Sequence, residues 1–150
     1  MSMIKEFEFF HGVVFSRLLH TAQKEVSIKQ YPSSDNASYI INDKIGIYIK
    51  YSGARLSPWR FSFKRRHQDE ILEMKNNIGK AYLLLVCNDD GIVALSFEEF
   101  RQVLNEVHEE VEWISVARNK REMYLVKGSD GSLEFKISQK DFPDKIFSTA

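Results

Sequence analysis

Residues 36–68, NASYIINDKIGIYIKYSGARLSPWRFSFKRRHQ, decide the fold. Tyr39, Ile41, Ile45, Ile47, Ile49 and Tyr51 alternate with smaller or more polar residues. A period of two is the mark of half-buried strands, because successive side chains of a strand point to opposite faces. Asn42-Asp43 reads as the turn between two runs. Ser52-Gly53 opens a loop that Pro58 closes, and Trp59-Arg60-Phe61-Ser62-Phe63 alternates again as a third strand. Lys44, Lys50, Arg55, Arg60, Lys64, Arg65 and Arg66 fall here, and no acidic residue lies between Lys44 and Gln68. The centre of the chain is therefore expected to be a basic, antiparallel strand meander carrying one inner lysine, Lys50.

Working outward, Ile4, Phe7, Phe10, Val14, Leu18 and Ala22 recur at three or four, which predicts a helix over 4–22. Phe9, Val13 and Phe15 widen its stripe, so more than one side should be covered. Residues 26–31 read as a strand stopped by Pro32-Ser33-Ser34. After Phe63 the period changes. Ile71, Leu72 and Met74 set an apolar stripe on a second helix over 64–77, and Gly79 is a natural stop for it. The near-continuous apolar run 81–86 suits a strand covered on both faces. Asn88-Asp89-Asp90-Gly91 signals a turn, and 92–95 is its partner strand.

Ser96-Phe97-Glu98-Glu99 is a capping box, opening a third helix to residue 112 with Phe97, Phe100, Leu104, Val107 and Val111 buried. Short strands at 113–117, 123–126 and 133–137 follow, with turns at Asn119-Lys120 and Ser129-Asp130-Gly131. Phe142, Ile146 and Phe147 form a tail that packs back. The expected class is α/β or α+β: a central mixed sheet flanked by helices, extended or capped by the C-terminal strands. No repeat or linker divides the chain, so 1–150 reads as one domain, with a core over 4–95 and an extension over 96–150.

The 150 residues are 43% hydrophobic and 13% aromatic, ample for one packed core. Lys plus Arg equal Asp plus Glu at 21 each, so the formal charge is zero, less basic than a dedicated non-specific nucleic-acid binder. The balance hides an asymmetry, because Glu98, Glu99, Glu106, Glu109, Glu110 and Glu112 crowd the third helix. That helix reads as a solvated face, with docking of a basic partner or mimicry of a phosphate backbone as the other use. The lone Cys87 lies in the apolar run and reads as a core thiol. The apolar stretch 9–19 is broken by His11, Ser16 and Arg17 and is too short to span a bilayer. With no signal-peptide pattern, a soluble cytoplasmic protein that meets no membrane is expected. His11, His20, His67 and His108 stand at no metal-ligand spacing, and no GxGxxG, Walker-A or GxSxG motif is present.

With an inner lysine on the middle hairpin and a polar helix start after the meander, the pattern of residues 10–95 resembles the restriction-endonuclease-like, PD-(D/E)XK nuclease superfamily, and within it the Holliday-junction-resolvase type. The resemblance implies two carboxylates holding Mg²⁺ between a phosphate oxygen and a water, and a lysine beside that water. Lys50, in Tyr48-Ile49-Lys50, matches the lysine, and Gln68 matches a polar position that completes the site in resolvases. Tyr48 stands where the second carboxylate belongs, and Asn36, flanked by Asp35, where the first belongs. Asp43 is the other candidate ligand, although a hairpin turn would point it away. The family's first-helix glutamate has Glu6, Glu8 or, by register, His11 as its nearest equivalents. A phenol and an amide do not replace carboxylates, because the phenol stays protonated at neutral pH and the amide carries no charge.

The expectation is thus a nuclease-like domain with a degraded active site and no cofactor. It would bind nucleic acid or a partner protein in a DNA-processing or defence setting, through Lys50, Arg55, Arg60, Lys64, Arg65 and Arg66. One alternative is an active Mg²⁺-dependent endonuclease using a migrated carboxylate, Asp35 or Asp43. Another is a protein-interaction or homo-oligomeric assembly module. Trp59 and Phe61 are read as core residues, with base stacking as their other use.

Overall fold

A computed structural model describes residues 3–33, 36–107 and 112–148. Helix α1 (Glu6–Thr21) leads into the meander β1 (Ile28–Gln30), β2 (Ser38–Ile41) and β3 (Ile45–Ser52). The expected turn forms: Asn42 and Asp43 both take positive φ, 55° and 60°, and the Lys44 N–H closes on the Ile41 carbonyl at 3.1 Å. Strand β4 (Trp59–Phe63) runs into α2 (Arg65–Ile78), followed by the hairpin β5 (Ala81–Cys87) and β6 (Gly91–Ser96). Helix α3 (Phe97–Val103), strands β7 (Glu112–Ala117), β8 (Leu125–Gly128) and β9 (Gly131–Ser132), and α4 (Asp141–Phe147) complete the chain.

The class is α+β, as expected. The central sheet is mixed, in the order β1-β2-β3-β5-β6. Its first three strands are antiparallel, β3 and β5 are parallel from Gly46↔Ala81 to Ser52↔Cys87, and β6 returns antiparallel. Helix α2 makes the crossover that a parallel pair requires. It lies close on β3: a Cβ built on Gly46 would stand 2.2 Å from the Met74 sulfur. Gly79, at φ 98°, ends that helix in the left-handed region.

Two apolar layers sandwich this sheet, and alternation along its strands feeds both. Ile47, Ile49, Leu84 and Val86 face α1 and α4, meeting Val14, Leu18 and Ile146. Tyr48, Leu83 and Leu85 face the other way, meeting Ile71 and Met74 of α2 and Phe100 and Val103 of α3. Every residue of β5 is buried, which is why that run carries no polar alternation. A Leu84→Ala cavity there should cost roughly 2–5 kcal/mol.

Four sequence expectations need correction. Strand β4 does not continue the meander; it pairs with β7 at the edge of a second, antiparallel sheet ordered β4-β7-β8-β9. Period two specifies which side chains share a face, not which strand supplies the hydrogen bonds. The C-terminal strands accordingly cap the central sheet, one of the two arrangements expected of them, burying Phe61, Phe63, Ile114, Val116 and Val126 in the same cluster as Leu83 and Leu85. Residues 133–137 contribute only the isolated bridge Tyr124↔Ile137. Helix α3 ends at Val103, with Val107 exposed; the rest of the acidic stretch, 108–111, lies outside the described residues. Phe9 is 64% exposed, so α1 is covered along one side. Among the described residues no helix is long and apolar enough to cross a membrane.

Candidate functional site

The site arises from a mismatch of strand lengths. β3 has eight residues and β2 four, and their pairing stops at Ser38↔Tyr48. One further backbone bond, from the Ile49 N–H to the Ala37 carbonyl at 2.9 Å, closes the pairing. Beyond it β3 continues alongside β5 alone on that edge, and a cleft of about 500 Å³ opens. Phe7 and His11 of α1 line one wall, and His67 of α2 lines the other. Asn36, Ala37 and residues 48–51 of β3 form the floor and lip.

Lys50 is held from two sides. Its Nζ donates to the Ser62 carbonyl of β4 at 2.5 Å and to His67 Nδ1 at 3.2 Å, and it stands 4.5 Å from the centre of the Phe63 ring. His67 Nδ1 also accepts the Lys64 backbone N–H at 3.0 Å. A nitrogen receiving two N–H donors keeps its lone pair, so the neutral ring carries its proton on Nε2. This arrangement joins β3, β4 and the start of α2 around one cation.

On the opposite wall His11 is 4% exposed, with Nδ1 2.8 Å from the Tyr39 hydroxyl. That hydroxyl donates to the Asn36 carbonyl at 3.1 Å, so His11 Nδ1–H is the donor to Tyr39. Burial lowers the imidazole from its ordinary 6.5 to about 4. It is therefore neutral at physiological pH, with Nε2 as the remaining acceptor. Tyr51, stacked 4.6 Å from Phe10, has its phenol pKa raised by burial and by the nearby Glu6 carboxylate.

The other residues expected at the site scatter. Asp43 is in the turn at the far end of β3, paired with Lys29 at 2.7 Å. The five strand steps from Ile45 to Lys50, at about 3.3 Å each, put that turn roughly 16 Å along β3 from Lys50. Asp35 lies outside the described residues. Gln68 is 4% exposed, one turn before Ile71 on the buried side of α2, and is not part of the cleft lining. Glu8 caps α1 by accepting the Lys5 N–H at 3.0 Å. Trp59 and Phe61 are buried, so they serve the core and not stacking.

The cations stay on the surface. Lys64, Arg65 and Arg66 are exposed at the start of α2, within one turn of His67. Arg65 makes an i,i+4 contact with Asp69 at 3.9 Å, a solvent-exposed pair of little energetic value. Arg55 is exposed in the loop before β4, and Arg60 lies over the Trp113 ring at 4.5 Å. Among the described residues no group of three or more His, Cys, Asp or Glu side chains is placed to hold a metal ion.

Sequence reasoning missed a second polar cluster. The Arg118 guanidinium grips Asp90 through Nε at 2.8 Å and Nη2 at 2.5 Å, and the Tyr124 hydroxyl donates to Asp90 at 2.7 Å. Arg118 holds the Asp90 carboxyl below its usual range, and burial foremost pushes the Tyr124 phenol up. Its charges are matched, so the cluster reads as a clamp between the β5–β6 turn and the second sheet. Nothing local marks it, because Asp90 reads simply as a turn residue. His11 did carry a signal: a polar side chain on the apolar face of α1, between Phe7 and Val14. Comparison of the chain with protein-family models, with curated proteins and with solved structures finds no match.

Proposed function

We propose that the chain is a nuclease-like binding module that seats the sugar–phosphate backbone of nucleic acid across the mouth of the Lys50 cleft. One observation carries this reading: the Lys50 amine is held inside the cleft against His67, and the exposed Lys64, Arg65 and Arg66 immediately precede His67 at the start of the same helix. Helix α2 has no acidic residue in its first turn. Its N-terminal partial positive charge and the three cations repel each other, and a phosphate at that point relieves both. Backbone N–H groups and basic side chains recognise phosphate without reading sequence.

The resemblance to the restriction-endonuclease-like superfamily agrees with the position of Lys50. It emerges from the middle strand of a mixed sheet beside the polar start of the following helix. In this reading the amine acts as a positioned cation that binds phosphate and holds β3, β4 and α2 in register. The lining adds two imidazoles, an amide and phenols, groups that donate to or accept from a nucleic acid.

The test is fluorescence anisotropy with labelled single-stranded, duplex and branched oligonucleotides over a range of salt. Binding should weaken steeply with salt, and Arg65→Ala/Arg66→Ala should lower the slope of log K against log salt by about two. Absence of binding at low salt would sink the proposal. Cleavage of those substrates with Mg²⁺ or Mn²⁺, abolished by Lys50→Ala, would replace it with the active-nuclease reading.

A further inference from the structure

The second sheet has an outward face that the cleft does not use. Burial alternates strictly along β4 and β7, turning Trp59, Phe61, Phe63, Ile114 and Val116 inward. The pairings Arg60↔Ser115 and Ser115↔Lys127 then set Arg60, Ser115 and Lys127 in one row across three strands. Beside that row stands Trp113, opposite Ser62 and half-buried, with the Arg60 guanidinium carbon 4.5 Å from its ring centroid. Arg60, Ser62, Leu125 and Lys127 are exposed. The outward positions of β4, β7 and β8 therefore carry Arg60, Lys127, Trp113, Ser62, Ser115, Ala117 and Leu125, and no carboxylate.

We propose that this face is a platform for single-stranded nucleic acid. An unpaired base stacks against the Trp113–Arg60 pair, while Lys127 and Arg60 meet the flanking phosphates. The occupant follows from the chemistry of the face. Its charge is complementary to a polyanion: the cations stand about 10 Å apart across the strands with Ser115 between them, and the aromatic ring stands beside that row, under the Arg60 guanidinium. A flat aromatic surface gains nothing from a duplex, whose bases already stack on each other, but every unpaired base offers a π-face to it. The platform also continues from the cleft. β4 runs from Arg60 through Ser62, whose carbonyl receives the Lys50 amine, directly into Lys64, Arg65 and Arg66. One strand of nucleic acid can thus follow β4 from the sheet face to the mouth of the cleft.

This inference rests on the nucleic-acid reading above, and the experiment separates the two. Oligo(dT), oligo(rU) and a duplex of equal length are titrated into the intact chain, following anisotropy and tryptophan emission together. Trp59 is buried with its indole N–H donated to the Ala54 carbonyl, so quenching on binding reports Trp113. Single strands should bind at least tenfold tighter than duplex and quench emission, and Trp113→Ala should weaken them about tenfold or more. Lys127→Glu, at an exposed position, provides the test if Trp113→Ala does not fold by circular dichroism; it should weaken single-strand binding several-fold. Equal affinity for duplex, no quenching and no effect of Lys127→Glu, with binding still lost in the Arg65/Arg66 variant, would overturn the platform and leave the cleft proposal standing. No binding of any nucleic acid would overturn both.

Discussion

Helices α2 and α3 begin in opposite electrostatic senses. At α3 the Ser96 hydroxyl accepts the Glu99 N–H at 3.1 Å and the Glu99 carboxylate accepts the Ser96 N–H at 2.9 Å, with Glu98 and Glu99 in the first turn. Both unsatisfied donors and the helix dipole are served by local chemistry. At α2 the corresponding place holds Lys64, Arg65 and Arg66, no acid in the first turn, and an imidazole as acceptor for the Lys64 N–H. One start obeys every local rule and the other breaks the charge rule. Where local preference agrees with the fold, the residues serve stability. Where it is broken beside a cleft, a ligand-binding role is the proposal to test. Carboxylates stand at one helix start and cations at the other, and the proposed binding role of α2 rests on that difference.

The strongest attempt to break this contrast reverses the charge at α2. Arg65→Glu/Arg66→Glu should reduce oligonucleotide affinity by about a hundredfold at moderate salt, through two lost phosphate contacts and added repulsion. The melting temperature should hold or rise, because acids suit that position. A fall in stability with unchanged binding would erase the distinction between the two helices. The opposite outcome is expected at α3. Glu99 also receives the Lys145 amine at 2.9 Å, so Glu99→Ala releases both the capping box and α4. It should cost about 2 kcal/mol in urea denaturation and leave nucleic-acid affinity unchanged.

A pH titration sharpens the picture from the far wall of the cleft. Because burial holds His11 near 4 against its ordinary 6.5, the unfolded chain takes up a proton that the folded chain refuses. Stability should fall as pH drops through that window, and His11→Gln should flatten the loss in thermal melts. The Asp90 carboxyl, lowered by Arg118, contributes at higher pH and is lost only further into acid, below the ordinary carboxylate range. The smallest effect is expected from Ser96→Ala: about 1 kcal/mol of stability and no change in binding.

Much of the secondary structure was legible because local chemistry determines it. The capping box placed the start of α3, Asn42-Asp43 placed the hairpin turn, and the apolar run over 81–86 located the buried strand β5. The site was legible only in fragments. Lys50 and the basic run at α2 stand out in the chain, but the partners of Lys50, the Ser62 carbonyl and His67, are 12 and 17 residues away on other elements. Gln68 shows the limit in the other direction. It looked like a site residue by its place in the pattern, and the helical turn carries it to the buried side of α2, one residue past the one that faces the cleft.

By itself the sequence determined the type and approximate place of most helices and strands, which side chains share a face, and that basic residues gather in the centre of the chain. Those properties depend on neighbours within a few residues. Only the tertiary structure decided that β4 leaves the central sheet for β7, that β3 outruns β2 to open a cleft, and that Asp90 meets Arg118. Strand pairing and charge pairing join residues far apart in the chain, and alternation is satisfied equally by any partner that covers the same face.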